Sequence, residues 1–241
     1  MIKLTASLTR SSRSLASRCC ASHTGGSDKS VREQILDAAL PHVASTGWSQ
    51  EALRRGARDL QLSQSAAGMV EDGEAALVSH FWHISNAQWK AEMHQREGEL
   101  SELELHAKLK ELLKTKLQQL QPHANTWAQA LAIQMRPSNV RKAVQLRADF
   151  ADEVWHRAGD SSVDMSWYMR RGLIASSVLA GEVAQITDMS PHFQQTREFI
   201  DRRVDGVLAM DEHVGTSTSI ASNALDTFAH SVVNLLSRLR N

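Results

Sequence analysis

Eleven histidines and 27 acidic side chains run through this 241-residue chain, so metal chemistry is the first possibility to weigh. Glu153 and His156 have Glu-x-x-His spacing, which puts both side chains on one helix face and is half of a di-iron carboxylate site. A complete site needs a second such motif and two further carboxylates from facing helices. No second Glu-x-x-His occurs. His80 and His83 are also three apart, yet no matched carboxylate pattern joins them. The chain has no Gly-x-Gly-x-x-Gly, no phosphate-cradling loop, no Gly-x-Ser-x-Gly and no cysteine pair spaced for zinc. The expectation is therefore no enzyme, no metal and no cofactor, with the histidines on the surface or in packing roles.

The residues that remain conspicuous lie between Trp155 and Gly181. Gly159 follows an apolar-periodic run and suits the left-handed position that ends a helix. Asp160, Ser161, Ser162 and Asp164 supply turn and N-cap chemistry, and a new helix is expected near Met165. Its first turns set Trp167 and Tyr168 beside Arg170 and Arg171. Then Gly172, Ser176 and Ala180 recur every four residues, on one face. A glycine inside a helix costs about 0.5–1 kcal/mol against alanine. Either a second backbone approaches that face closely, or a cavity needs the space.

Net charge is zero and 42% of residues are hydrophobic, ordinary for a globular protein. No global field draws the chain to nucleic acid. Cys19 and Cys20 are adjacent near the N-terminus, which excludes a disulfide scaffold. No apolar run reaches the about 18 residues of a spanning helix. The first 26 residues hold Lys3, Arg10, Arg13 and Arg18 with many Ser and Thr and no acid, the composition of an organellar transit peptide.

Helical periodicity dominates the rest, so the fold is expected to be all-α. Ser30 with Glu33 forms a capping-box signature ahead of Val31, Ile35, Leu36, Ala39, Leu40 and Val43, and Gly47 ends that helix. Trp48–Leu60, capped by Ser49, is a second helix; Ser63 opens a third, through Ala67; Ala75–Met93 is a long fourth. This is a helix-turn-helix arrangement. Further helices are expected over Glu97–Gln121, with Leu105, Leu109, Leu112, Leu113, Leu117 and Leu120 inward, over Asn125–Met135, over Ser138–Arg157, and from Pro191 to Gly215. Ser217–Arg240 has a broad apolar side that includes Leu225, Phe228, Val232, Leu235 and Leu236.

The N-terminal run ILDAALPHVASTGWSQEALRRGARDLQLSQSAAGMVEDGEAALVSHFW resembles the DNA-binding domain of TetR-type regulators. The words AGDxSxDxxWYxRR at Ala158–Arg171 and DxSPxF at Asp188–Phe193 resemble a narrower family: the TetR-fold, lipid-binding accessory proteins of ubiquinone biosynthesis in mitochondria and proteobacteria. The similarity covers roughly Ser30 to Arg240. It implies four segments: a mitochondrial transit peptide at 1–26, a helix-turn-helix-like subdomain at 27–94, a helical lipid-binding subdomain at 95–215, and an amphipathic membrane-contacting helix at 216–241. It further implies a homodimer, peripheral on the matrix side of the inner membrane.

Two function classes follow. A ligand-responsive TetR-type regulator would need a basic recognition surface, but Ser63–Met69 has no basic residue and Glu71, Asp72 and Glu74 come next. Little phosphate neutralisation is available there, so no nucleic-acid partner is expected. The family resemblance instead implies that Arg171, Gly172, Leu173, Ser176 and Ala180 meet an isoprenoid quinone intermediate or a phospholipid. By residue pattern alone that stripe fits tight helix packing better than a cavity wall; the resemblance reverses that order. Ile174, Val178, Leu131, Val144 and the Leu105–Leu117 stripe are candidate walls. Arg171 can grip a phosphate or carbonyl, or else pair with Asp149, Asp152 or Asp164. Trp167 and Tyr168, beside Asp164, are core filling or a docking patch; the resemblance implies docking to the di-iron hydroxylase of ubiquinone synthesis. The final helix packs on the protein, on a twin subunit, or, as the resemblance implies, on a membrane.

Overall fold

The computed structural model describes residues 29–159 and 165–213, with side chains at 29–159 and 169–208. The expected transit peptide, the turn holding Asp164, the side chains of Trp167 and Tyr168, Gly215, and the final helix with Leu225, Phe228, Val232, Leu235 and Leu236 lie outside the described residues. What is described is all-α: among the described residues there is no strand.

The N-terminal subdomain follows its sequence signals closely. Ser30 and Glu33 form the reciprocal capping box: Glu33 N–H donates to Ser30 Oγ at 3.3 Å, and Ser30 N–H to Glu33 Oε2 at 3.0 Å. Helix α1 (Val31–Ala39) stops where Pro41 forces a 3-10 turn; α2 (Val43–Thr46) continues for one turn and ends at Gly47, whose φ of +69° is a conformation glycine accepts readily. Helix α3 (Gln50–Asp59) starts at Ser49, whose hydroxyl accepts from Ala52 N–H. Gly56 lets α3 meet the backbone of α1; a Cβ there would lie 2.7 Å from Ala39 N. The expected third helix is a 3-10 segment, Gln64–Met69, with Ser63 as its cap. Helix α4 (Gly73–Gln95) buries Leu77, Val78, Phe81, Trp82 and Trp89 and packs on α1 and α3 as well as on later helices. Trp48 sits at this junction, edge-on to Phe81 and Trp127, and its backbone N–H and C=O are both taken by the Gln129 amide.

The helix expected over Glu97–Gln121 is two: α5 (Glu97–Ser101) and α6 (Leu105–Leu120). The break after Ser101 lets α5 bury Leu100 while α6 turns its own stripe, Leu109, Leu112, Leu113, Leu117 and Leu120, into the core. Leu105, at the start of α6, lies beyond the reach of that core and is 40% exposed. Helices α7 (Ala124–Gln134) and α8 (Val140–Ala158) follow. α8 presents Ala143, Leu146, Arg147, Phe150, Ala151 and Val154 inward at helical spacing. Val144 falls one position off that face and is 59% exposed, so it is not a cavity wall. Gly159 ends α8 in the left-handed conformation, φ +93°. Helix α9 (Met165–Thr187) begins where expected; a 3-10 turn at Pro191–Phe193 then leads into α10 (Gln194–His213).

Candidate functional site

Helix α9 packs against α6, α7, α8 and α10, and its two halves meet that surround differently. Ile174 and Val178 point into the core and are fully buried, and Leu131 on α7 is buried with them. Along the small-residue stripe, Ala180 is buried and Ser176 is half-buried, its hydroxyl donating to Leu173 C=O of its own helix at 2.8 Å. Leu173 is half-buried against the core. Gly181, next to Ala180, is pressed against α6 and α10: a Cβ would lie 2.6 Å from Leu117 Cδ1 and 2.9 Å from Ile200 Cδ1. Among the described residues, a Cβ on Gly172 would meet nothing within 4 Å. The stripe thus closes at its C-terminal end and opens at Gly172.

Arg171 borders the open end. Asp152 on α8, one of the three carboxylates that sequence offered it, takes its Nε at 2.5 Å; Asp164 lies outside the described residues. The arginine side chain is only 11% exposed while Asp152 is 56% exposed, so the pair sits at the bundle's rim. Arg170 lies over the Trp155 ring, 5.6 Å from its centroid. These contacts tie the first turns of α9 to α8.

A buried polar network holds the other half of α9, and sequence reasoning missed it. Arg147 donates to Glu182 at 2.7 and 3.1 Å, to Gln134 Oε1 at 2.8 Å and to Ala143 C=O at 3.0 Å. Trp127 Nε1 donates to the same Glu182 carboxylate. Lys116, wholly buried, donates to Ser85 Oγ and Asn86 Oδ1 and lies 4.4 Å from the Trp82 ring centroid. Burial lowers its pKa to about 7, with Glu182 opposing and Arg147 adding to the fall. Two cues were available: an acid at 182 within an apolar helix, and Arg147 in register with Ala143 and Phe150.

The DxSPxF word is a structural box. Asp188 accepts from Ser190 N–H at 2.8 Å and from its hydroxyl at 2.5 Å; the other oxygen accepts from Thr196 N–H and hydroxyl, both at 2.7 Å. Burial pushes its pKa up, but those bonds prevail and hold it at about 2. It fixes the turn from α9 into α10.

Glu153 of the Glu-x-x-His pair is held by Lys90 at 2.8 Å and Arg157 at 2.9 Å; burial opposes, but these cations depress its pKa. Among the described residues no three His, Cys, Asp or Glu side chains are grouped to hold a metal. Arg54, Arg55 and Arg58, the basic residues of α3, all converge on Glu51, at 3.7, 3.2 and 3.9 Å. That carboxylate offsets part of the charge a regulator would offer to phosphates, and the regulator alternative is not favoured. No described helix is long and apolar enough to cross a membrane.

Fold and site together define an all-α protein with a helix-turn-helix-like N-terminal part and an apolar helical C-terminal part built on α9. The family model COQ9 matches residues 140–211, the segment from α8 into α10. Ubiquinone biosynthesis protein COQ9-A, mitochondrial, of Xenopus laevis is 32% identical over 215 residues, covering 87% of this chain and 68% of that protein. Homo sapiens COQ9, mitochondrial, is 32% identical over 189 residues, 76% of this chain and 59% of that protein, and Drosophila melanogaster COQ9 is 34% identical over 177 residues, 73% and 54%. The chain belongs to the COQ9 family of ubiquinone biosynthesis proteins.

Proposed function

We propose that this chain is a non-catalytic lipid carrier of mitochondrial ubiquinone biosynthesis. It takes an aromatic isoprenoid intermediate from the matrix side of the inner membrane and presents it to the di-iron demethoxyubiquinone hydroxylase. The observation that carries this is the open side of α9 at Gly172, beside Arg171, on a helix otherwise packed on several sides. Arg171, Gly172, Leu173 and Ser176 line the path of the guest, which ends where Ala180 is buried; a phospholipid is the alternative occupant. Each isoprene unit is worth about 4 kcal/mol against water, but a tail drawn from a bilayer leaves one apolar phase for another and gains little. Selectivity therefore falls to the polar end, where Arg171 supplies a planar, permanently charged donor.

In this proposal Asp164, Trp167 and Tyr168 dock the hydroxylase, and the 216–241 segment lies reversibly on the membrane through Leu225, Phe228, Val232, Leu235 and Leu236. The protein acts as a homodimer. Mass spectrometry of protein purified from mitochondria tests the carrier step: isoprenoid quinone precursors or phospholipid should accompany it, and a lipid-free preparation would refute it. Pull-down with the hydroxylase tests the docking step. Trp167→Lys should abolish capture, and undiminished capture would remove this patch from the interface.

A further inference from the structure

Helices α1, α4 and α8 frame a hollow of about 410 Å³, away from the stripe on α9. Its floor is apolar, with Leu36, Ala76 and Ile84. Its rim carries Arg32 and Glu33 from α1, Ser79, His80 and His83 from α4, and Lys142 from α8. The carboxylates nearby are largely committed elsewhere. Glu33 accepts from the Ser30 backbone and hydroxyl. Asp37 is shared between Lys29 and His80, each at 2.7 Å. Asp149 accepts from Gln145 at 2.7 Å.

The cations are less well matched. Arg32 has no ion pair among the described residues, and Lys142 reaches only Asp72, at 3.9 Å. Burial lowers the His83 pKa, Lys142 and His80 lower it further, and Asp149 opposes. Three helices thus bring donors to one concavity with too few acceptors, the condition under which an anion is held.

We propose that this hollow binds a phosphate group, with Arg32 and Lys142 as its charged donors and His83 as a third donor that protonates when the anion arrives. The phosphate comes from a lipid head group or from a free phosphate ester; the chemistry is shared. This site is independent of the guest proposed for α9.

The test uses full-length protein with isotope-labelled histidine, the His83 ring resonance being assigned through its loss in His83→Gln. Inorganic phosphate is titrated against chloride at constant ionic strength. The His83 titration midpoint should rise with phosphate. Lys142→Met should raise it already without phosphate, because a repelling cation is gone, and should weaken the phosphate response about tenfold, as should Arg32→Gln. Unchanged resonances for the histidines outside the hollow, such as His42 and His123, verify the fold of each variant. Sedimentation with phosphatidylcholine vesicles, with and without phosphatidic acid, identifies the source. Vesicle binding that needs phosphatidic acid and is lost in both variants assigns a lipid head group, whereas a response to inorganic phosphate alone assigns a free ester. A His83 midpoint indifferent to both probes, an equal response to chloride, or a phosphate response that survives in both variants would overturn the proposal.

Discussion

Gly172 and Gly181 stand on the same helix and should respond oppositely to the same substitution. Replacing a mid-helix glycine by alanine gains about 0.5–1 kcal/mol from backbone entropy alone. At Gly172 the new methyl meets nothing within 4 Å, so the full gain should appear. At Gly181 it would stand 2.6 Å from Leu117 and 2.9 Å from Ile200, both buried. Overpacking of that kind costs about 1–3 kcal/mol, which leaves a net loss of about 1–2 after the helix gain. The two variants should therefore differ by about 2 kcal/mol, or roughly 4–8 °C in melting temperature for a chain of this size. Thermal and urea denaturation followed by circular dichroism measure this. A third variant, Gly172→Leu, connects stability to function: it sets a larger side chain on the side where a Cβ meets no described neighbour, so it should fold about as well as Gly172→Ala and copurify with less lipid. The reasoning fails if Gly172→Leu is destabilised as much as Gly181→Ala, because the side is then not open. It fails equally if Gly172→Leu keeps its lipid, because the opening is then not where the guest lies.

The buried network and the Asp188 turn give three further expectations. Lys116→Met should stabilise the protein by about 1–3 kcal/mol at neutral pH, since an apolar side chain against Trp82 and Phe150 carries no desolvation cost. The folded pKa of Lys116 is about 7 against 10.5 unfolded, so the unfolded chain binds more protons between those values; wild-type stability should climb with pH across that window, and the variant should show a flatter profile in urea titrations. Glu182→Gln strands the Arg147 charge and should cost about 3–5 kcal/mol, visible as a large drop in denaturation midpoint. Asp188→Asn should cost about 1–2 kcal/mol by removing acceptors at the α10 turn. The wild-type carboxylate contributes its stability above about pH 4 and loses it as pH falls toward 2, a slope that acid titration of the variant should lack.

What was legible in the sequence was local. The Ser30/Glu33 box, the Ser49 cap, Gly47 and Gly159 at helix ends, and the start of α9 each depend on a few neighbouring residues, and each stands where their chemistry puts it. What escaped was set by tertiary reach. Leu105 has the right period for the α6 stripe but no partner beside it, and Val144 is apolar yet one step off the buried face. The break between α5 and α6 has no proline or glycine to announce it; it follows from the need to bury Leu100 and Leu109 in different directions. Arg147 and Glu182 are separated by 35 positions and carry meaning only as a pair.

That pair also explains how α9 can hold a packed face and an open one together. A helix lined with Gly, Ser and Ala offers little side-chain volume, so dispersion alone fixes it weakly. Its C-terminal half is instead fastened by direction: Glu182 answers Arg147 and Trp127, and Gly181 admits Leu117 and Ile200 to close range. Its N-terminal half is fastened at the rim by Arg171–Asp152 and by Arg170 over Trp155, contacts that lie beside Gly172 rather than across it. Both ends of α9 are thus anchored by charged side chains, neither of which covers the Cβ position of Gly172. Loss of the Glu182 anchor should then reach beyond stability. Even under conditions where Glu182→Gln remains folded, α9 should shift into the space beside Gly172, and bound lipid should fall in proportion.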